Sequence, residues 1–170
     1  LGKPGALERR SYPPGQHGQA RRKFSEYGMR LREKQKVMFH YGLREEQLRR
    51  LVKVAKKTRG GEWFSVLAGM LETRLDNLVF RLGFAGSIAA ARQLVRHGKV
   101  LVNGKKHTIG SEMIKVGAEI SLTDTGYAGQ VYQYSIKQPR LSLPDHLDLS
   151  GGDHKIGKLR NLPEMDAIPF

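Results

Sequence analysis

From residue 25 onward the apolar positions recur every three to four residues between short breaks, and that period predicts a chain built chiefly of helices. Ser25 is a candidate N-cap with Glu26 in the first turn, and the helix it opens runs to Tyr41 before a stop at Gly42. A second helix is predicted over about 44–57, because Leu48, Leu51, Val52 and Ala55 share one face and leave Arg49, Arg50, Lys53, Lys56 and Lys57 outward. Gly60 and Gly61 end it. A third, over about 62–73, carries Trp63, Phe64, Leu67, Met70 and Leu71, whose aromatics read as core rather than as base-stacking platforms. Leu75, Leu78, Val79 and Leu82 predict a short amphipathic helix ending at Gly83. Ser87 then caps another that runs to His97, with Gly98 just past its end.

Beyond Gly98 the pattern changes. Val100, Leu101 and Val102 precede Asn103-Gly104, a hairpin signal because both central residues of a type I′ turn need positive φ. A further strand is expected over 119–122 and another over 131–136, whose residues alternate. Residues 138–170, punctuated by Pro139, Pro144, Pro163 and Pro169, are expected to be irregular and to pack on the helical part. Residues 1–24 hold Gly, Pro and basic groups but nothing that buries a core, so they read as an arm ordered by a partner.

Charge sharpens this picture. The 170 residues carry 30 Lys and Arg against 16 Asp and Glu, a net +14. Residues 1–60 hold 17 basic against 5 acidic groups, 61–137 hold 9 against 6, and 138–170 hold 4 against 5. A solubilising surface would intersperse both signs, whereas this excess is concentrated at one end and points to a polyanion. No apolar run approaches the roughly 20 residues of a spanning helix, and the first ten residues lack a signal-peptide segment, so the chain reads as soluble. Leu1, not a methionine, opens it, which reads as a processed or trimmed start.

Reactive chemistry is sparse. There is no cysteine, hence no disulfide or thiolate zinc site within these residues. His17, His40, His97, His107, His146 and His154 are scattered without metal-ligand spacing, and neither a phosphate-binding Gly-Lys-Ser/Thr loop nor a Gly-x-Ser-x-Gly elbow is present. Asp76 reads as a helix-start residue or a local partner for Arg74 or Arg81. No enzyme, metal or cofactor is expected. Arg92 and Arg96, one turn apart, suit adjacent phosphates. Folded RNA is the better target than DNA, because shape recognition suits an arm plus a small module and no base-reading helix stands out.

Five segments together resemble one family. They are Tyr12-Pro13-Pro14-Gly15-Gln16-His17-Gly18, Arg30-Leu31-Arg32-Glu33-Lys34-Gln35-Lys36, Arg74-Leu75-Asp76-Asn77-Leu78-Val79-Phe80-Arg81-Leu82-Gly83-Phe84-Ala85, Ala91-Arg92-Gln93-Leu94-Val95-Arg96-His97-Gly98 and Val102-Asn103-Gly104. In this order, over most of the chain, they are similar to small-subunit ribosomal protein four of the bacterial or organellar type. The resemblance implies an α+β fold: a mostly helical domain (25–73 with 138–170), an inserted α/β RNA-binding module of two helices on a small twisted sheet (74–137), and an extended basic arm (1–24). It implies primary binding to a 16S-type rRNA helix junction in the 5′ domain, early in subunit assembly, beside small-subunit protein five and near the mRNA entry path, with a role in translational accuracy. The ribosome would be that of a bacterial cytoplasm, a mitochondrion or a plastid.

The expected RNA-binding residues are Arg9, Arg10, Tyr12, Gln16, His17, Arg21, Arg22 and Lys23 in the arm and Arg30, Arg32, Lys34 and Lys36 on the first long helix. In the module they are Arg74, Arg81, Arg92, Arg96, His97, Lys99, Asn103 and Lys105. Two departures from the family pattern are Ile88-Ala89-Ala90, where basic residues are usual, and a long helix after the module that reads as reduced to 124–130. The alternative is a stand-alone RNA-modifying or RNA-quality-control factor using the same module. Such a factor has little need of the Pro-Pro-Gly-Gln-His-Gly arm.

Overall fold

The computed structural model describes residues 6–20, 23, 25–58, 62–137, 141–152 and 155–163. The chain divides into two units, 1–43 and 44–170.

In the first unit a single helical turn, α1 (Ala6–Arg9), precedes a run of turns in which Gly18 N–H donates to Gly15 C=O and Ala20 N–H to His17 C=O. The expected extended arm is therefore partly folded back. A side chain at position 18 would collide with the Pro13 carbonyl, which is why glycine stands there. The long helix α2 (Glu26–His40) starts where Ser25 predicts, the Ser25 hydroxyl accepting from Gly28 N–H at 3.1 Å. It buries none of its own residues, and the chain leaves it through Gly42 at φ +58°.

The second unit opens with α3 (Glu45–Lys57), which buries Leu48 and Ala55, and α4 (Trp63–Glu72), which buries Leu67, Ala68, Leu71 and Glu72. The inward set of α4 begins at Leu67, so its first residues lie outside the core. The core reading fails for the aromatics: Trp63 and Phe64 are 41% and 39% exposed. Next come α5 (Leu75–Arg81) and α6 (Ile88–Arg96), the latter capped by the Ser87 hydroxyl on Ala90 N–H. Between them and the sheet lies the main core, with Leu75, Leu78, Val79, Phe84, Ala91, Val95, Val100 and Ile120 almost wholly buried.

The sheet is antiparallel, in the order β2-β1-β3-β5-β4. β1 (Val100–Val102) and β2 (Lys105–His107) form the expected hairpin, with Asn103 at φ +49° and Gly104 at φ +76°. β3 (Glu119–Leu122) follows as expected. The next segment does not: 130–137 is helical, α8 (Gln130–Lys137), after one short turn, α7 (Asp124–Tyr127). The alternation over 131–136 is real in the sequence, but Tyr132 and Ser135, three apart, are the positions buried, which is a helical spacing. The helical segment after the module is accordingly longer than 124–130.

The described residues within 138–170 are not wholly irregular, contrary to expectation. Within them β4 (Leu147–Ser150) and β5 (Ile156–Leu159) form a hairpin that extends the module's sheet through the pair β3–β5. Prolines at 144 and 163 lie outside the strands and so do not break them. β5 lies so close to α5 that a Cβ at Gly157 would collide with the side chain of Leu82, the residue that ends that helix.

Candidate nucleic-acid interface

Position 73 begins a short stretch of backbone held by a distant loop. Ile114 N–H donates to Thr73 C=O, Leu75 N–H to Glu112 C=O and Asp76 N–H to Gly110 C=O, each at 2.9 Å. This pairing fixes Arg74 and Asp76 under the loop, where their side chains are almost fully enclosed. Arg74 grips Asp76 bidentately at 3.0 and 2.8 Å, and Arg92 donates to the same carboxylate at 2.7 Å from α6. Asn77 N–H adds a further bond at 2.9 Å. One turn on, Arg81 forms a fork on Glu72 at 3.3 and 3.2 Å, and Asn77 donates to Glu72 at 2.7 Å.

The expected RNA-binding residues differ in exposure. Arg74 and Arg81 are each 5% exposed and paired with carboxylates, so both guanidiniums lie inside the module in this structure. Asp76 partners Arg74, as expected, but its other cation is Arg92, while Arg81 belongs to Glu72. Arg92 keeps about a third of its side chain exposed and is tied back by Asp76, whereas Arg96 and His97 are exposed. At the hairpin Lys105 and Lys106 are exposed and Lys99 is half-buried. The Asn103 side chain accepts from Glu119 N–H at 2.9 Å, so its work there is to fix the turn to β3.

In the first unit Arg9, Arg10, Tyr12, Gln16, His17 and Lys23 are exposed, and the Arg10 guanidinium lies 5.7 Å from the centre of the Tyr12 ring. Arg30, Arg32 and Lys36 on α2 are exposed and Lys34 is half-buried; Arg30 pairs with Glu26 and Lys36 with Glu33. Arg21 and Arg22 lie outside the described residues, as does His154. The exposed pairs on α2 are individually weak. Among the described residues no group of three or more His, Asp or Glu could hold a metal ion, and no helix is long and apolar enough to cross a membrane.

Two titrating groups lie in the walls of the module. Burial pushes the Tyr127 phenol up, against the lowering effect of its bond from Leu122 N–H, and the phenol in turn donates to Lys155 C=O at 2.7 Å. Burial likewise pulls the His146 imidazole below its ordinary value, with Arg81 acting in the same sense and Glu72 and Asp145 opposing it. Its position beside the Glu72–Arg81 pair was not legible from the sequence. Glu72 carried no signal beyond being one acidic residue in an apolar helix.

Residues 2–72 match the ribosomal protein S4/S9 N-terminal domain, and residues 73–120 match the S4 domain. The small ribosomal subunit protein uS4B of Bdellovibrio bacteriovorus is 58% identical over 173 residues, spanning 100% of this chain and 82% of the relative. The chain belongs to the uS4 family. The uS4 proteins of Trichodesmium erythraeum and Syntrophobacter fumaroxidans are each 46% identical, over 94% and 96% of this chain and 79% and 78% of their own lengths. Proteins of the uS4 family are structural, non-enzymatic constituents of the small ribosomal subunit, and the S4 domain is an RNA-binding module. The buried pairs Arg74–Asp76 and Arg81–Glu72 lie at the junction of the two matched regions, in and just before the S4 domain.

Proposed function

We propose that this uS4-family chain is a primary rRNA-binding protein of a bacterial cytoplasmic ribosome. It grips a helix junction in the 5′ domain of 16S-type rRNA, nucleates assembly of the subunit body, and contributes to translational accuracy. Protein five is its proposed neighbour, and mRNA passes nearby on the entry path. The observation that carries the reading is the fate of the basic side chains. In the described part of residues 1–43, Arg9, Arg10, Lys23, Arg30, Arg32 and Lys36 are all in water, whereas two expected RNA contacts in the module are withdrawn into its interior. The proposed RNA surface therefore consists of the arm, α2, and Arg96, His97, Lys99, Lys105 and the accessible part of Arg92, without Arg74 and Arg81.

A salt-titrated affinity series against a folded 5′-domain fragment tests this. Removing residues 1–24 should weaken binding more than Arg96→Ala with Lys105→Ala. It should also flatten the slope of log affinity against log salt by roughly 0.7–0.9 for each phosphate that is no longer neutralised. Binding no tighter than to an unrelated folded RNA of equal length would sink the reading.

A further inference from the structure

The end of α3 and the start of α4 bring basic and aromatic side chains together. Lys53, Lys56 and Lys57 stand at i, i+3 and i+4 on α3, share one face, and are all exposed. Trp63 and Phe64 open α4 with their rings edge to face, centroids 5.7 Å apart. The Lys56 ammonium lies 5.2 Å from the centre of the Trp63 ring. Two large rings thus remain 41% and 39% in solvent, one of them beside the Lys56 ammonium, although α4 completes its buried face from Leu67 onward without them.

An apolar peptide laid on these rings would have to strip water from the lysines without pairing them, and an acidic peptide would pair the lysines but offer no flat face to the indole. A nucleotide does both, because its base carries a π-face and its phosphates carry the opposite charge. We propose that Trp63 and Phe64 form a stacking site for an unpaired nucleotide of the bound RNA, with Lys53, Lys56 and Lys57 on the flanking phosphates. Lys56 orients the indole, Trp63 supplies the stacking surface, and Phe64 buttresses it from the edge. The proposal rests on the RNA-binding reading above and adds an interaction that reads single-stranded geometry, not only charge.

Trp63 is the one tryptophan in the chain, so tryptophan emission reports this corner alone. The full chain is titrated with the folded 5′-domain fragment, and binding is followed in parallel by mobility shift and by emission. Stacking requires emission to be quenched along the same isotherm as binding. It also requires Trp63→Ala to lower affinity about tenfold, Trp63→Phe to recover most of the loss, and Lys56→Gln to fall between. If the RNA binds but emission stays constant, or if Trp63→Ala binds as the parent does, the stacking site is overturned while the RNA-binding reading stands. If the parent does not bind the fragment at all, both fail. The emission readout uses the unaltered chain, and thermal unfolding of Trp63→Ala at the parental temperature excludes a folding defect.

Discussion

Arginine has two fates in this molecule, and residue identity alone does not separate them. Arg96 is in water while Arg74 and Arg81 are enclosed and forked onto Asp76 and Glu72. A buried pair is expensive to break because the surviving charge is left in a low-dielectric site. Glu72→Ala should therefore cost about 3–5 kcal/mol in denaturant unfolding, whereas Glu45→Ala, which breaks an exposed pair with Arg49, should cost less than about 1 kcal/mol. Equal losses would show that the Glu72–Arg81 fork is not formed. His146 allows a pH test at the same scale. Burial holds its folded-state pKa below the ordinary 6.5, so between those two values the unfolded chain binds the extra proton. The stabilisation is complete above about pH 6.5 and is lost as pH falls through the folded-state value. Unfolding midpoints measured from pH 7.5 down to 5 should fall less steeply for His146→Asn than for the parent.

Helices α2 to α6 and the β1–β2 hairpin declare themselves through caps, periods and turn residues that act within a few positions: Ser25 and Ser87 cap, and Asn103-Gly104 turns. The hairpin β4–β5 does not, because its pairing partner β3 lies some forty residues back along the chain and no local signal reports a neighbour that distant. Gly157 is where this element depends most on its surroundings. Its missing side chain lets β5 approach Leu82 at the end of α5, so Gly157→Ala should destabilise by about 1–3 kcal/mol through overpacking. A melting temperature unchanged by that substitution would mean the strand stands off the helix. Replacing the cap, Ser87→Ala, should cost about 1 kcal/mol, since Ala90 N–H loses its acceptor at the start of α6.

At the scale of the whole molecule the net charge of +14 acts on folding as well as on binding. Like charges crowded into one chain repel, and salt screens them within about 10 Å at 0.1 M. The melting temperature should rise as salt is raised from low ionic strength, while affinity for RNA falls over the same range. A melting temperature that dropped with added salt would show attractive pairs outweighing the repulsion. The one-sided charge, the helical periods, the hairpin turn and the family motifs are properties of the chain read locally or summed, and the sequence by itself determined an RNA-binding, uS4-like protein. Which arginines face water was decided only by the tertiary structure. So were the Glu72–Arg81 and Arg74–Asp76–Arg92 pairs, the two-strand extension of the sheet, and the exposure of Trp63 beside Lys56. Each of these depends on which surfaces meet across long separations, and burial decides whether a given side chain braces the fold or reaches a ligand.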